Sequence, residues 1–344
     1  MPGLDGVFLC LGNPLLDISS KVDTAFLDKY DLKPANQILA EDKHVPMFED
    51  LAARPDVDYI AGGAGQNTTR VCQWLLQYPK ATSYMGCIGD DEFGRKMVET
   101  ASKDGVNVCY QVDKSTPTGT CAVCVVDRDR SLVAYLAAAN NFKVEHAKEN
   151  WSLVKSAKII YCTGFFITVS PESIAAVSQH CSDNDKIFSM NLSAPFIMQV
   201  PPFKKVLLDA LPFIDYLFSN EIEAATFAES EGWQTRDLSE IALKISRMPK
   251  ANGCRPRTVV FTQGSEPTII AVSGRVRMYP VLKIGKANIV DTNGAGDAFV
   301  GGFLSQIVCG KSIEEAVRAG NYAANTIIQR SGCSFPAKPD FVWN

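Results

Sequence analysis

The segment DTNGAGDAFVGG (residues 291–302) decides the fold of this chain. It follows a strand-like stretch, places three glycine and alanine residues in a loop (Gly294, Ala295 and Gly296), and continues into an apolar helical stripe. Backbone N–H groups at a helix N-terminus have no intrahelical acceptor, and the helix dipole favours negative charge there. The segment therefore predicts an anion-binding loop that opens a helix, suited to a phosphate group.

Asp297 falls in the first turn of this predicted helix. An ionised carboxylate beside a bound phosphate can accept the proton of an attacking hydroxyl group during phosphoryl transfer. An acidic residue in a first helical turn also stabilises the helix without any catalytic role. The local pattern leaves both interpretations open, and the segment matches neither the Walker A loop nor the dinucleotide-binding fingerprint.

The whole-chain composition is that of an ordinary globular protein. The chain has 344 residues, of which 46% are hydrophobic and 21% charged, and its formal net charge is −4. Without a long basic block, we expect no nucleic-acid partner. Without a signal-like or long apolar segment, we expect no membrane partner and a cytoplasmic monomer. The 11 cysteines are an odd number with scattered spacing, which favours reduced thiols over a disulfide framework.

Strand-like and helical segments alternate along most of the chain, which predicts an α/β fold with a mostly parallel central sheet flanked by helices. Two strand-like runs around residues 127–130 predict a β-hairpin instead. Within it, Cys121 and Cys124 are three residues apart, so they should point to opposite faces of a strand and not share a metal. We assign residues 1–16, 64–112 and 141–344 to a large α/β domain. Residues 17–63 and 113–140 form a small β-rich lid domain.

Polar residues follow strand-like or glycine-rich segments at two further places. Asn13 and Asp17 come after the first buried strand, where ligands bind in open α/β sheets. Asp17 could bind a sugar diol or be an ordinary turn aspartate. In AGGAGQNTTR (residues 61–70), Asn67 could contact a ligand or cap a helix that starts at Thr68.

Asn220 and Glu223 are three residues apart at the start of another predicted helix. This spacing is typical of a capping box, in which the two side chains satisfy each other's backbone N–H groups. An amide and a carboxylate can also hold hydrated Mg²⁺ near a triphosphate. The spacing favours the cap without excluding the metal.

Taken together, GNPLLD, GGAGQN, CIGDDEFG, NEIEAATF and DTNGAGDAFVGGF resemble, in order and spacing, the ribokinase-like family of carbohydrate and nucleoside kinases. Segments outside the phosphate-binding motifs, such as RSLVAYLAAAN, GFFITVSPES and SGCSFPAKPDF, are similar to the branch that phosphorylates adenosine. The resemblance implies a ribokinase-like fold whose small lid closes over the sugar. It also implies transfer of a phosphoryl group from ATP to the 5′-hydroxyl of adenosine, giving AMP and ADP.

The resemblance also implies residue roles. Asp297 would be the general base, the Gly294–Ala295–Gly296 loop the anion hole, and Arg130 a contact to the transferred phosphoryl group. Asn220 and Glu223 would hold Mg²⁺ through water, and Gln263 and Gly264 would lie beside ATP. Asp291 and the backbone of residues 330–334 would bind K⁺ or another monovalent cation. The nucleoside would be bound by Asn13, Asp17, Gln37, Leu39, Gly63, Asn67, Cys124, Leu132, Ala134, Leu136, Phe166, Phe196 and Asn293, with Leu15 nearby.

Two alternatives and one departure accompany this hypothesis. A kinase for another nucleoside or a sugar would share the fold, although the apolar base positions argue against a plain sugar. A non-catalytic nucleoside sensor would not need Asp297 together with an intact anion loop. Ala64 and Gly65 stand where related kinases typically carry hydroxyl residues, so one side-chain hydrogen bond to the nucleoside is expected to be missing.

Overall fold

The computed structural model describes residues 3–34, 36–126, 129–251, 253 and 255–341, and it contains two β-sheets. The strands are β1 (Phe8–Leu11), β2 (Leu15–Lys21), β3 (Gln37–Leu39), β4 (Asp58–Gly62), β5 (Thr82–Gly89), β6 (Asn107–Asp113), β7 (Thr120–Val126), β8 (Asp129–Tyr135), β9 (Ile159–Cys162), β10 (Ile187–Asn191), β11 (Tyr216–Asn220), β12 (Thr258–Gln263), β13 (Glu266–Val272) and β14 (Arg275–Tyr279).

The larger sheet has nine strands in the order β14-β13-β12-β11-β10-β9-β1-β5-β6. Every pairing from β12 to β6 is parallel, and only β12–β13 and β13–β14 are antiparallel. Strands β1, β5 and β9 are buried along their whole length, as expected for parallel strands covered by helices on both faces. The predicted fold class is confirmed.

The smaller sheet has the order β3-β8-β7-β2-β4. Strands β7 and β8 form the predicted antiparallel hairpin, although residues 127 and 128 of its turn lie outside the described residues. One face of this sheet carries Ile18 and Cys124 into a core that includes Leu27, Met47 and Leu51. The opposite face carries Leu15 and further apolar side chains toward the larger domain. This second face forms one wall of the candidate site.

The α-helices cover the larger sheet and back the smaller one. They are α1 (Thr24–Lys29), α2 (Val45–Ala52), α3 (Ala64–Leu76), α4 (Glu92–Lys103), α5 (Val144–Glu149), α6 (Trp151–Ser156), α7 (Pro171–Asp183), α8 (Pro195–Gln199), α9 (Pro201–Ala210), α10 (Glu221–Ser230), α11 (Leu238–Ser246), α12 (Ala295–Val308) and α13 (Ile313–Ile327). Short 3₁₀ turns lie at Asp42–His44, Ala137–Asn141, Gly164–Thr168, Leu211–Phe213 and Lys286–Asn288. Among the described residues, no helix combines the length and apolarity needed to span a bilayer.

Two glycines let α12 pack closely between two other helices. A Cβ atom on Gly301 would lie 2.5 Å from the Thr68 carbonyl oxygen of α3, and one on Gly302 would lie 2.5 Å from the Ala319 carbonyl oxygen of α13. Any larger residue would therefore separate these helices. The close contact brings the N-terminal turns of α3 and α12 side by side, and these turns carry the predicted catalytic groups.

Arg257, at the start of β12, is fully buried and holds the adjoining segments together. Its guanidinium group donates to five backbone carbonyl oxygens, those of Leu211, Ile214, Ile245, Met248 and Pro249. Burial lowers the pKa of Arg257 to about 10, which still leaves it charged at neutral pH. The guanidinium thereby joins the C-terminal end of α11 and the preceding 3₁₀ turn to the edge of the parallel sheet.

Candidate active site

The anion-binding loop forms where the sequence predicts it. Gly294 is the N-cap of α12 and has a left-handed backbone (φ 76°), which glycine adopts without strain. The backbone N–H groups of Gly294, Gly296 and Asp297 donate to no acceptor within the described residues, whereas the N–H of Ala295 donates to the Thr292 carbonyl oxygen (3.3 Å). The three open donors are therefore those of Gly294, Gly296 and Asp297. The sequence predicts Ala295 as a further donor, but its N–H is already bonded to Thr292.

Asp297 is the third residue of α12. Its partly buried side chain lines the same cavity as Gly294 and Gly296. Its Oδ2 accepts a hydrogen bond from Asn67 Nδ2 (3.0 Å), and its backbone oxygen accepts one from Thr68 Oγ1 (3.2 Å). Burial raises the pKa of Asp297 to about 6, while the Asn67 hydrogen bond opposes the rise. The carboxylate is thus mostly ionised at neutral pH, with a pKa close to the range that suits a general base.

Helix α3 begins earlier than the sequence suggests. Gly63, with φ 89°, turns the chain directly from β4 into a helix that starts at Ala64, and the Asn67 N–H donates to the Gly63 carbonyl oxygen (2.9 Å). The interpretation of Asn67 as the N-cap of a helix from Thr68 is therefore wrong. A Cβ atom on Gly63 would lie 2.3 Å from the Asn13 carbonyl oxygen, so only glycine fits this turn. Because Asn67 is inside the first turn, its side chain can reach Asp297.

Asp17, on β2, is a buried carboxylate facing the cavity. It is only 7% exposed, and its carboxylate makes no hydrogen bond to any other described residue. A Cβ atom on Gly62 of the neighbouring strand would lie 2.6 Å from this carboxyl group, so glycine there makes room for it. Burial, followed by the negative charges of Asp297 and Asp291, raises the pKa of Asp17 to about 8. A buried polar group with no protein partner marks a position for a ligand's hydroxyl groups.

The cavity has a volume of about 420 Å³ and lies between the two sheets. Its polar lining includes Asn13, Asp17, Gln37, Gly63, Asn67, Arg130, Asn293, Gly294, Gly296 and Asp297. Its apolar lining includes Leu15, Ile38, Leu39, Cys121, Leu132, Ala134, Leu136, Phe165 and Phe196. The side-chain oxygens of Asn13 and Asn67 are buried there without a hydrogen-bond partner among the described residues. An apolar cavity with a few converging polar groups is the usual form of a small-molecule site.

Two predicted nucleoside contacts do not face this cavity. Cys124 points to the opposite face of β7, into the core behind the smaller sheet, and Cys121 lines the cavity in its place. Phe166 is fully buried against Phe142 (ring centroids 5.3 Å apart), and the preceding Phe165 takes the cavity position. Cys124 faces away because side chains alternate between the two faces of a strand. Phe166 faces away because the 3₁₀ turn places the preceding residue at the cavity.

Gln263 also points away from the cavity. Its Nε2 donates to the Pro267 carbonyl oxygen (2.6 Å) across the turn between β12 and β13. The flanking Thr262 and Gly264 line the cavity instead. Gly264 therefore faces the cavity, as expected of a residue beside ATP, and the side chain of Gln263 does not. Contact of either residue with ATP stays a prediction.

Asn220 and Glu223 form the capping box that their spacing predicts. Asn220 Oδ1 accepts from the Glu223 N–H (2.8 Å), and Glu223 Oε2 accepts from the Asn220 N–H (3.0 Å). Both residues also line the cavity, and burial raises the pKa of Glu223 to about 7. The described residues contain no cluster of three or more histidine, cysteine or acidic side chains that could hold a metal directly. This pair can contact a hydrated ion through water, because each carboxylate oxygen keeps further acceptor capacity.

Asp291 lies outside the cavity lining, and its carboxylate is already bonded to several donors. Oδ1 forms an ion pair with Arg130 Nε (3.0 Å) and accepts from the Asn293 N–H (2.8 Å), while Oδ2 accepts from the Gly332 N–H (3.1 Å). The carboxylate is therefore held by groups of the protein itself. A monovalent cation at Asp291 stays a prediction.

Sequence reasoning missed several cavity residues that follow strands of the larger sheet. Thr163 follows β9, Asn191 ends β10, and Ser193 comes just after it. Asn191 Oδ1 accepts from the Gly164 N–H (2.9 Å), and Ser193 Oγ accepts from the Phe165 N–H (3.1 Å), so these side chains fix the turn that carries Phe165. The rule that ligands bind at the carboxyl ends of parallel strands would have identified them.

Comparison with known proteins decides the family. The model of the pfkB carbohydrate kinase family matches residues 24–340. This chain belongs to that family. The resemblance that the motifs suggested is thereby confirmed.

The similar proteins include adenosine kinases. Adenosine kinase 1 of Arabidopsis thaliana is 58% identical over 339 residues, which is 98% of this chain and 98% of that protein. The structure of Anopheles gambiae adenosine kinase in complex with P1,P4-di(adenosine-5) tetraphosphate has a TM-score of 0.95 at 47% identity and covers 98% of this chain and 99% of its own. That of Schistosoma mansoni adenosine kinase in complex with 2-fluoroadenosine has a TM-score of 0.93 at 35% identity, covering 96% of this chain and 98% of its own.

Proposed function

We propose that this protein is an adenosine kinase, which transfers the terminal phosphoryl group of ATP to the 5′-hydroxyl of adenosine and releases AMP and ADP. The observation that carries the proposal is the convergence of Asp17, Asp297 and the open N–H groups of α12 on one partly apolar cavity. The names of the similar proteins support the same activity. One of those structures contains a molecule in which phosphates join two adenosine groups, as a donor and an acceptor would be joined in transfer.

The ribose of adenosine would bind at the polar side of the lining. The Asp17 carboxylate has no hydrogen-bond partner among the described residues and lies beside Gly62, so both of its oxygens are available to the 2′- and 3′-hydroxyls. The unpartnered side-chain oxygens of Asn13 and Asn67 add acceptors for hydroxyl groups. Asp17 would hold its proton near neutral pH before substrate binds, and either protonation state can form hydrogen bonds to a diol.

The purine base would lie against the apolar lining. The smaller sheet contributes Leu39, Leu132 and Ala134, Leu136 follows its strand β8, and the larger domain contributes Phe165 and Phe196. A sugar alone would leave this apolar surface in contact with water, whereas a flat purine ring would cover it. The lining thus favours a nucleoside over a plain sugar as the substrate.

Chemistry at the 5′-hydroxyl would depend on Asp297 and on the start of α12. The carboxylate of Asp297 would take the hydroxyl proton as the oxygen attacks phosphorus. The N–H groups of Gly294, Gly296 and Asp297 would stabilise charge on the transferred phosphoryl oxygens, with Arg130 adding positive charge. Closure of the smaller sheet would exclude water, which competes with the nucleoside as acceptor.

The ATP side of the cavity would include Thr262, Gly264, Asn220 and Glu223. Mg²⁺, when bound there, would neutralise phosphate charge, and Asn220 and Glu223 would orient its water ligands. A K⁺ or other monovalent cation at Asp291 and the backbone of residues 330–334 remains a prediction from the resemblance. A monomer in the cytoplasm remains a prediction from the sequence.

A panel of nucleosides and sugars, each incubated with the protein, ATP and Mg²⁺, tests the proposal. We expect AMP from adenosine at a kcat/KM at least tenfold above that of any sugar. Faster phosphorylation of another nucleoside or a sugar would assign the site to a related kinase. Tight adenosine binding by calorimetry without AMP formation would indicate a nucleoside sensor and overturn the proposal.

A further inference from the structure

An ion pair links the smaller sheet to the anion-binding loop. Arg130 lies on β8, and Asp291 lies in the segment that leads into Gly294. Arg130 Nε is 3.0 Å from Asp291 Oδ1, and the two side chains are only 9% and 8% exposed. Arg130 Nη2 also donates to the Val290 carbonyl oxygen (3.3 Å). A pair this buried is weakly screened by water, and removing one partner would leave the other charge poorly compensated.

The Asp291 carboxylate is itself fixed by the backbone. The Asn293 N–H donates to Oδ1 (2.8 Å), and the Gly332 N–H donates to Oδ2 (3.1 Å). Rotation of the carboxylate would break these bonds, so its position is set by the same loop that presents Gly294. Arginine has a long side chain with many rotamers, and the charge of Asp291 together with the hydrogen bond from Nη2 to the Val290 carbonyl oxygen limits where the Arg130 guanidinium can lie.

A second contact joins the same regions. Gly332 has a left-handed backbone (φ 60°), and a Cβ atom there would lie 2.8 Å from the side chain of Ile60 on β4. The C-terminal segment that donates to Asp291 is therefore packed directly against the smaller sheet. The Asp291 carboxylate therefore contacts Arg130 of the smaller sheet, the anion-binding loop and the C-terminal segment that packs against the smaller sheet.

From this geometry we propose that Asp291 is a positioning residue, which holds Arg130 beside the anion-binding loop and couples seating of the smaller sheet to assembly of the phosphate site. The inference rests on the proposed phosphoryl transfer, because it gives Arg130 a phosphoryl group to contact. It assigns Asp291 a partner within the protein rather than a bound cation.

A double-mutant cycle tests the proposal, with Asp291→Asn, Arg130→Gln and the double variant. Each single change should lower kcat by about 10²-fold, because a misplaced or missing charge no longer stabilises the transferred group. The adenosine Kd should change less than threefold. If Asp291 acts through Arg130, the double variant should be no slower than Arg130→Gln. The matched control is Arg277→Gln, which breaks an exposed pair with Glu314 (61% and 52% exposed) and should leave kcat unchanged.

The competing interpretation is a cation at Asp291, and it gives the opposite results. Losses that multiply in the double variant would mean that Asp291 acts independently of Arg130 and would overturn the proposal. A second contradicting result concerns K⁺. If K⁺ raises the wild-type kcat above that in tetramethylammonium, and this increase is lost in Asp291→Asn but kept in Arg130→Gln, the proposal is overturned. If Asp291→Asn does not fold, a chemical rescue experiment still tests the pairing. It compares how far added guanidinium restores the activity of Arg130→Gly and of the double variant Arg130→Gly/Asp291→Glu. Equal rescue of both variants would contradict it.

Hydrogen exchange separates this inference from the proposed function, because it needs no turnover. A non-hydrolysable ATP analogue should slow amide exchange in residues 129–135 of the wild type and should slow it much less in Asp291→Asn. Equal protection in both proteins would overturn the coupling even if adenosine is phosphorylated. Absence of AMP formation by the wild type would overturn the proposed function, while the exchange result would still decide the role of Asp291.

Discussion

The acid side of the pH profile gives a quantitative test of Asp297. Its ionised form is the active base, and burial raises its pKa to about 6. Activity should therefore be present above pH ~6 and decrease as the pH falls through that value. With this pKa, about 90% of the carboxyl groups are ionised at pH 7 and about 10% at pH 5. We expect kcat/KM for adenosine to fall about ninefold between these two pH values.

The Asn67 hydrogen bond gives a way to move that profile. It favours the ionised form of Asp297, so Asn67→Leu should raise the pKa of Asp297. A hydrogen bond to a charged group contributes about 1.5 kcal/mol, which moves the acid limb to higher pH by about one unit. Thr68→Val is the matched control, because Thr68 donates to the backbone oxygen of Asp297 and not to its carboxylate. The assay is coupled ADP release at saturating ATP from pH 4.5 to 9.

Two results would refute this reasoning. A wild-type acid limb centred near pH 4 would show an ordinary, unperturbed carboxyl group. A limb that stays in place in Asn67→Leu, or moves equally in Thr68→Val, would show that the Asn67 hydrogen bond does not control the charge of Asp297.

Three further predictions concern stability, each measured by urea unfolding of the purified protein. Burial raises the folded pKa of Asp17 to about 8, so taking up a proton at pH 7 costs folding free energy. Asp17→Asn should raise the free energy of unfolding by up to about 4 kcal/mol at pH 7, with little gain near pH 4, and should weaken adenosine binding. A Cβ atom on Gly65 would lie 3.0 Å from Cys10 Sγ, so Gly65→Thr should destabilise the protein by about 1–3 kcal/mol, whereas Ala64→Ser at the cavity surface should change stability by less than about 0.5 kcal/mol. Arg257→Met should cost more than about 4 kcal/mol, because it removes the hydrogen bonds of a fully buried guanidinium group to five backbone carbonyl oxygens; a cost below about 1 kcal/mol would contradict that role.

The start of α12 could be predicted from the sequence because its signals are local. Gly294 and Asp297 lie three residues apart, and the apolar stripe after them sets the helix. The α/β class follows from the alternation of elements for the same reason. The contact between Asn67 and Asp297 spans 230 positions, and no local pattern encodes it. It depends on the close packing of α3 on α12, which two glycines permit but do not specify.

The errors have equally specific causes. Cys124 was carried over from the resemblance, although the alternation of side chains along β7 already separates it from Cys121. Phe166 and Phe165 differ by one position inside a 3₁₀ turn, which has no periodic signal strong enough to choose between them. The glycines of residues 61–65 predict a loop up to Asn67, because glycine adopts helical and non-helical backbones alike. In the structure the helix starts at Ala64 instead, after a turn at Gly63 in which a Cβ atom would lie 2.3 Å from the Asn13 carbonyl oxygen.

The central claim is that Asp297 is the base for ATP-dependent phosphorylation of adenosine. The most direct measurement is single-turnover AMP formation by wild type and Asp297→Asn with ATP and Mg²⁺, together with the adenosine Kd of each protein. The account predicts that the variant loses on the order of 10²–10⁴ in rate, the usual contribution of a general base, while the Kd changes far less. A variant that forms AMP within threefold of the wild-type rate would contradict the account.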